Sequence, residues 1–291
     1  MKTLSLFLTL TFLLSLPMFL SSYILRPSTY LRRGNIQTLT LTMSLHDTRN
    51  EETFESYSGN EREEVVDEVV KKKKKSVNTA RFRQHVNPLS SRYQISQIHP
   101  NFLSPFASPL PYHLDIGCAK GTFVLEMAEK NEAVNYLGLE IRKPVVEYAL
   151  DRRNRRNLSN CHFLECNVNV DLLKILKGIK KTSSALRTVT ILFPDPHFKE
   201  KHKKRRVVLP QLVEELAEYL EEEGIVYLAS DVKNVLDDMR ATFRDNNKFE
   251  DMTGNIQEYL EVNLMGVPTE RERSVLKDGG GVWRAGFRLR K

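Results

Sequence analysis

Apolar runs that suit buried strands alternate with helix-length segments from about Thr79 onward. The strand-like runs are YHLDIG from Tyr112, NYLGLEI from Asn135, CHFLECNV from Cys161, TVTILF from Thr188 and GIVYLASD from Gly224. Helical spacing or a helix-start proline predicts helices over 121–130, 144–157, 171–177, 209–222 and 232–245. The C-terminal segment is predicted to form closing strands with a long polar, glycine-rich connection. Repeated strand–helix units predict an α/β fold, with an open, mostly parallel sheet covered by helices on both faces.

The first 45 residues differ from this pattern. Before Asp47, the first acidic residue, the chain is rich in Ser, Thr and Leu and carries a few basic residues, which is typical of an organelle transit peptide. The apolar run from Leu4 to Leu20 also suits a secretory signal or a short anchor, although Pro17 and several hydroxyl residues interrupt it. We expect an organelle presequence over 1–45, for the chloroplast rather than the mitochondrion, and no stable membrane association. A secretory route, or a downstream start such as Met43 that leaves the protein in the cytoplasm or nucleus, stays open.

Residues 46–78 have too few apolar side chains to build a core, so they are predicted to be a disordered, charged linker before a folded domain over 79–291. The linker ends in a lysine run, Lys71 to Lys75, which suits either a solvated tail or contact with nucleic acid. The whole chain of 291 residues has a formal net charge of +7, which suggests a polyanionic partner.

The cysteines do not indicate a disulfide framework or a metal site. Cys118, Cys161 and Cys166 form no C-x-x-C pair, and no Cys/His set has ligand spacing. We expect reduced, mostly buried thiols and no bound metal.

Candidate chemistry stands at the strand ends, where ligands bind in open α/β sheets. The first strand ends in DIGCAKG, in which Gly117 and Gly121 allow close approach of a ligand beside Asp115. This loop has Ala119 and Lys120 where a dinucleotide fingerprint has its middle glycine.

The next three strands end in polar side chains. Glu140 is placed to accept both hydroxyls of a ribose, or is a surface glutamate paired with Arg142. Asn167 suits an adenine edge, or forms a turn. Asp195 follows the fourth strand, and carboxylates suit the charged methionine tail of S-adenosylmethionine better than a pyrophosphate. We therefore favour S-adenosylmethionine over NAD.

Six motifs occur in an order that resembles the tRNA (guanine-N7)-methyltransferase family, in particular its bacterial-type members. They are RFRQHVNPLS from Arg81, DIGCAKG from Asp115, YLGLEIR from Tyr136, FPDPHFKEKHKKRR from Phe193, ASD from Ala229 and TERE from Thr269. The resemblance covers about Arg81 to Lys291. It implies a Rossmann-like class I methyltransferase with a seven-stranded sheet and a C-terminal antiparallel strand. It also implies methylation of tRNA at the variable-loop guanine, position 46.

Carried over to this sequence, the resemblance implies a cofactor site of Asp115, Glu140, Asn167 and Asp195, to which the glycine turn adds Gly117 and Gly121. It also implies substrate contacts from Lys199, Asp231, Thr269, Glu270, Arg271 and Glu272. The density of positive charge itself predicts that Lys201, Lys203, Lys204, Arg205 and Arg206 hold the RNA backbone, so binding should weaken with salt.

Guanine N7 carries an exposed lone pair and needs no deprotonation before it attacks a methyl group. Catalysis should therefore come mainly from alignment, which contributes roughly 7–11 kcal/mol in favourable cases. We assign the catalytic role to Asp195, fixed between Pro194 and Pro196, which would orient guanine by accepting from N1–H and the N2 amine.

Two other functions compete with this hypothesis. The first is an amine-directed methyltransferase that acts on another RNA or a protein, since DPHF loosely resembles a D-P-P-[YF] turn. The second is a non-catalytic RNA-binding subunit, which the unusual CAKG loop permits. We expect tRNA as the partner and a chain that acts alone, as a monomer or homodimer, without an obligate protein partner.

Overall fold

The computed structural model describes Phe82, residues 85–197 and residues 199–290. The predicted presequence over 1–45 and the predicted linker over 46–78 lie outside these residues. None of the helices in the described part is long and apolar enough to cross a membrane.

One sheet of seven strands organises the described residues. The strands are β1 (Tyr112–Ile116), β2 (Asn135–Glu140), β3 (Cys161–Glu165), β4 (Leu186–Leu192), β5 (Leu220–Ser230), β6 (Phe249–Asp251) and β7 (Trp283–Leu289). The α-helices are α1 (Thr122–Lys130), α2 (Lys143–Arg155), α3 (Val168–Lys181), α4 (Pro210–Tyr219), α5 (Lys233–Arg244) and α6 (Glu270–Lys277). Short 3-10 helices span Ser91–Tyr93 and Glu200–Arg205.

The strand order is β3-β2-β1-β4-β5-β7-β6, and β1 to β5 pair in parallel. β7 runs antiparallel to both of its neighbours, β5 and β6. The predicted fold, a mostly parallel seven-stranded sheet with a C-terminal antiparallel strand, is confirmed. Three elements differ from the prediction. α4 ends at Tyr219 because Leu220 has an extended backbone, so residues 220–222, predicted as the end of a helix, begin strand β5. α3 begins at Val168 and ends at Lys181, so it is longer than the predicted 171–177, and α6 occupies part of the segment that was predicted to be strand and connection.

Both faces of the sheet are covered, which explains why its strands are nearly continuous apolar runs. In β2, Leu137 and Leu139 belong to the same buried cluster as residues of α3, α4 and α5 on one face. Tyr136, from the same strand, packs with residues of α1 and α2 on the other. The two layers leave the carboxyl ends of β1 to β5 together at one edge of the sheet, and the candidate site lies there.

Candidate active site

A cavity of about 660 Å³ lies at the carboxyl ends of β1 to β5. Its lining comes from the segments 85–86, 115–120, 122–123, 139–142, 166–169, 192–197, 231–232 and 269–271, with Pro88, Arg205 and Val207. Gly121, a predicted cofactor residue, is not part of this lining. Most of the predicted site residues therefore surround one space, although they are scattered along the chain.

The loop after β1 forms one wall of the cavity through an unusual backbone. Gly117, Ala119 and Gly121 all have positive φ, of 84°, 47° and 71°. A Cβ on Gly121 would lie 2.5 Å from the ring of Phe163, so glycine is required there for packing. A Cβ on Gly117 would meet nothing within 4 Å. Gly117 therefore leaves room in which a ligand can approach the backbone.

Asp115 is the most deeply enclosed carboxylate of the site, at 3% exposure. The register pairs it with Thr190 on β4, whose hydroxyl donates to Asp115 Oδ1 at 2.6 Å. Thr190 Oγ1 in turn lies 3.0 Å from His113 Nε2. Burial raises the pKa of Asp115 to about 7, which the Thr190 hydrogen bond opposes and the nearby charge of Glu140 supports. Burial also lowers the pKa of His113 to about 3, so this ring is neutral.

Glu140 lines the cavity at 5% exposure and is paired with Arg142. Its Oε1 accepts from the backbone N–H of Arg142 at 3.0 Å and from Arg142 Nε at 2.9 Å. Its Oε2 accepts from Arg142 Nη2 at 2.9 Å. The pairing with Arg142 that the sequence left open is present, but the carboxylate is buried in the cavity wall and is not a surface glutamate. Because a carboxylate has about four lone-pair positions, it retains acceptor capacity for a ribose hydroxyl.

Asn167 lines the cavity but directs its amide to the protein itself. It is the N-cap of α3, and its Oδ1 accepts from the N–H of Asn169 at 3.3 Å. Its Nδ2 donates to the carbonyls of Pro88 and Tyr93, each at 3.1 Å. The side chain therefore caps a helix and fixes the 88–93 loop, and contact with an adenine edge would require an exchange of partners.

Asp195 stands at the rim of the cavity, with its side chain 45% exposed. Its Oδ2 lies 2.9 Å from Nδ1 of His85. The preceding Phe193 has a φ of 52°, which is rare for a bulky residue and which its N–H supports by donating to the carbonyl of Ala229 at 2.8 Å. Phe193 and two prolines thus direct Asp195 toward the opening, where a base can reach it.

The basic run that follows Asp195 divides into two parts. Lys199, Lys201, Lys203 and Lys204 are exposed on or beside the second 3-10 helix. Arg205 is half-buried and lines the cavity. Arg206 donates to Asp238 Oδ1 at 2.6 Å and to the carbonyl of His197 at 3.2 Å, so it fixes the loop in place. The predicted backbone-binding role suits the lysines better than Arg206.

The TERE segment forms the first turn of α6. Thr269 caps the helix by accepting from the N–H of Glu272 at 3.0 Å. Arg271 pairs with Asp231 at 2.5 Å, which joins two predicted substrate contacts at the cavity rim. Glu270 also lines the cavity.

Glu272 faces away from the opening. It is buried, accepts from Arg284 Nη2 at 2.7 Å and from Asn263 Nδ2 at 3.1 Å, and is not among the residues that line the cavity. Its contacts in the structure are those of a structural ion pair, and they favour that role over the predicted contact with substrate.

Sequence reasoning missed three neighbours of the site: Thr190, His85 and Arg152, whose Nη1 donates to the carbonyl of Lys120 in the loop after β1 at 2.9 Å. Thr190 carried a detectable signal, since it is a polar residue inside an apolar strand. The other two lie far along the chain from the residues that they contact, so their positions depend on the tertiary fold.

The described residues offer little for metal or thiol chemistry. Within them, no group of three or more His, Cys, Asp or Glu side chains could hold a metal ion. Cys118, Cys161 and Cys166 are buried, and burial raises the pKa of each thiol. These thiols are therefore protonated and poorly suited to act as nucleophiles.

The hydrogen-bonding groups that line the cavity fit the S-adenosylmethionine that the sequence predicts. Buried Asp115 and Glu140 supply acceptors for an ammonium group and for ribose hydroxyls. The open space over Gly117 admits a ligand against the backbone.

Comparison with known proteins gives consistent results. The model of a protein family described as "Putative methyltransferase" matches residues 109–285. A tRNA (guanine-N(7)-)-methyltransferase of Thermosynechococcus vestitus is 48% identical over 208 residues, which are 71% of this chain and 94% of that protein. The enzyme of the same name from Trichormus variabilis is 44% identical over 208 residues, 71% of this chain and 95% of that protein. Among solved structures, the 16S rRNA methyltransferase KamB aligns with a TM-score of 0.46 and 13% identity, over 67% of this chain and 96% of that chain, which is too distant to carry an argument.

Proposed function

This chain belongs to the tRNA (guanine-N7)-methyltransferase family, and we propose that it forms N7-methylguanosine at position 46 in the variable loop of tRNA. S-adenosylmethionine is the cofactor. One observation carries the proposal: the cavity has buried carboxylates at its inner wall and an exposed carboxylate, Asp195, at its rim beside a basic surface. Cofactor and nucleic acid can therefore approach the same space from different sides.

The inner wall would hold the cofactor. Asp115 would accept from the ammonium group and Glu140 from the ribose, while Gly117 and Gly121 shape the loop between them. Asn167 would contribute through the 88–93 loop that it fixes. When bound, S-adenosylmethionine supplies an electrophilic methyl group. The protein would orient the cofactor and exclude water from the pocket.

Asp195 would orient the guanine base at the rim. Its two side-chain oxygens can accept from N1–H and the N2 amine together, which fixes the plane of the base and the direction of N7. His85 contacts Oδ2 in the structure, so guanine would share or replace that contact. Since attack by N7 releases no proton, Asp195 needs to act only as a positioned acceptor, and the gain comes from alignment.

The remaining contacts would hold the tRNA. Lys199 follows Asp195 on the same loop, and the Asp231–Arg271 pair lines the cavity together with Thr269 and Glu270. Lys201, Lys203 and Lys204 extend a positive surface from this opening, which suits the phosphate backbone.

The experiment uses the purified full chain, labelled S-adenosylmethionine and unmodified tRNA transcripts. We expect label in 7-methylguanosine and chain cleavage at position 46 after treatment specific for that nucleoside. A matched transcript with adenosine at position 46 should remain unlabelled. Label on another guanosine would overturn the position, and label on a different nucleoside or on protein would favour an amine-directed methyltransferase. Binding of tRNA without any transfer would leave a non-catalytic RNA-binding subunit.

We also propose that the enzyme works without a protein partner, as a monomer or homodimer, because the cavity combines the predicted cofactor and base contacts within one chain. Activity of the purified chain alone tests this point. An absolute requirement for a second protein would contradict it.

Finally, we propose a chloroplast location, directed by residues 1–45. The composition of that segment supports it, and so does the cyanobacterial origin of the two relatives above, since chloroplasts descend from cyanobacteria. Residues 1–78 fused to a fluorescent protein should enter chloroplasts of plant cells, whereas a fusion that begins at Met43 should not. Secretion, or a nuclear or cytoplasmic signal from the longer fusion, would contradict the proposal.

A further inference from the structure

We propose that Arg152, Thr122 and Glu270 form a positioning relay that couples cofactor binding at the Gly117–Gly121 loop to tRNA binding at the first turn of α6. The inference rests on the proposed function and adds a link between its two halves. All three side chains come from different elements: α2, the start of α1, and α6.

The relay is a continuous set of hydrogen bonds. Arg152 Nη1 donates to the carbonyl of Lys120 at 2.9 Å and to Thr122 Oγ1 at 2.7 Å. Thr122 Oγ1 then donates to Glu270 Oε1 at 2.8 Å. Thr122 is buried, at 9% exposure, so its hydroxyl has little water to replace a lost partner. One guanidinium thus fixes both the cofactor loop and the hydroxyl that contacts the TERE turn.

The loop needs such support because of its backbone. Gly117 and Gly121 adopt positive φ without steric cost, but Ala119 between them is not a glycine and has a φ of 47°. Conformations of this kind persist when surrounding contacts enforce them. The bond from Arg152 to the Lys120 carbonyl is one of these contacts, and it leaves the Lys120 side chain exposed, outside the relay. A ligand that orders the loop also fixes the position of Thr122.

On the other side, Glu270 belongs to the turn that reaches the cavity rim. Its neighbour Arg271 pairs with Asp231 after β5, and Arg273 pairs with Glu126 on α1 at 2.5 Å. The start of α6 is therefore tied both to α1 and to the rim where tRNA would bind. Displacement of Thr122 changes the partner of Glu270 and hence the position of this turn.

Coupling of this type is reciprocal, so cofactor should tighten tRNA binding by the same factor by which tRNA tightens cofactor binding. We expect a factor of at least about 5 in the unmodified chain, the lower end for coupled sites. Binding is measured by anisotropy of a fluorescent tRNA transcript, with and without saturating S-adenosylhomocysteine, which cannot transfer a methyl group.

Three variants of the full chain test the relay. Thr122→Val keeps the shape but removes the hydroxyl, and Arg152→Ala removes the guanidinium. In both variants, the coupling factor should fall to about 1, which means that the two sites bind their ligands independently. Thr122→Ser keeps the hydroxyl and should retain the coupling. Thermal unfolding identifies any variant that fails to fold, and Thr122→Val with Thr122→Ser remains the decisive pair if Arg152→Ala does not fold.

The matched control is Arg155→Ala, on the same helix as Arg152. Arg155 is exposed and pairs with Asp151 one turn away, so its loss should leave the coupling factor unchanged. If the unmodified chain methylates tRNA but S-adenosylhomocysteine does not alter its tRNA affinity, the relay is wrong. The same holds if Thr122→Val keeps the full factor. If the unmodified chain methylates no tRNA guanine at N7, the proposed function fails first, and the two failures are thereby distinguished.

Discussion

Replacement of Asp115 with asparagine measures how much stability the protein loses when this buried carboxyl group ionises, independently of its proposed contact with the cofactor. The carboxyl group is 3% exposed, and burial raises its pKa from 3.8 to about 7. Thr190 can still donate to the amide oxygen of asparagine, so the main hydrogen bond is retained. The substitution therefore removes the titration with little change of shape.

The sign of the effect follows from the two pKa values. Below pH 3.8 the acid is protonated in both the folded and the unfolded chain, and between 3.8 and about 7 only the folded chain keeps its proton. Folded wild-type protein therefore loses stability as the pH rises through this window, by about 1.4 kcal/mol for each pH unit. Asparagine has no such loss. The stability of Asp115→Asn relative to wild type should rise by about 2 kcal/mol between pH 5 and pH 7, and level off above about pH 8.

The assay is urea unfolding of both proteins without cofactor, at intervals from pH 5 to pH 8. Any constant cost of placing an amide in this site cancels, because only the change with pH is used. His113, whose pKa is lowered from 6.5 to about 3, also makes stability depend on pH below 6.5, but it does so in both proteins and cancels in their difference. A stability difference that stays constant from pH 5 to pH 8 would refute the reasoning, because it would mean that Asp115 does not titrate there. Affinity for S-adenosylhomocysteine should also rise with pH through about 7 in wild type only.

Four further variants test other parts of the site. Gly121→Ala should destabilise the protein by about 3 kcal/mol in urea unfolding, since its Cβ would lie 2.5 Å from a core ring at positive φ; a neutral result would contradict the packing. Glu272→Gln should cost about 3–5 kcal/mol in thermal unfolding by breaking a buried ion pair, whereas normal stability with weakened tRNA binding would restore its predicted substrate role. Asp195→Ala should abolish turnover but spare tRNA affinity, and collapse of affinity with normal turnover of bound tRNA would show that its assigned role is wrong. The pair Lys201→Ala and Lys204→Ala should lower the slope of log affinity against log salt by about 1.5, and an unchanged slope would exclude them from the phosphate contacts.

The sequence was sufficient for the fold because strands buried on both faces leave long apolar runs between helix-length segments. The predictions from the sequence were wrong where this pattern of apolar runs is weak. α3 begins before residue 171 because Asn167, with its side chain turned back to Asn169, is a helix cap and not the end of a strand. α6 escaped detection because its sequence, ERERSVLK, is mostly polar, and only Glu272 of its eight residues is buried.

The site could be located from the sequence, but its hydrogen bonds could not. Strand-end residues converge by topology alone, so Asp115, Glu140 and Asp195 were placed around one space. Which of their oxygen atoms are engaged depends on partners that the fold brings close. Thr190 meets Asp115 only through the register of β4 on β1, and His85 meets Asp195 from a loop more than 100 positions away.

The basic run after Asp195 shows why charge density alone does not identify nucleic-acid contacts. Lys201 and Lys204 are exposed, whereas Arg206, in the same run, has its guanidinium engaged by Asp238 and by the carbonyl of His197. The backbone carbonyl of Arg206 also accepts from Asn169 at 3.1 Å, next to the residues that cap α3. Arg206 thus ties the loop that carries Asp195 to two helices. A planar guanidinium with several donors suits such a junction, and mobile lysines suit phosphates that differ in position from one tRNA to another. We therefore propose that the run has two roles: Arg206 holds the loop of Asp195 rigid, and the exposed lysines would contact tRNA phosphates.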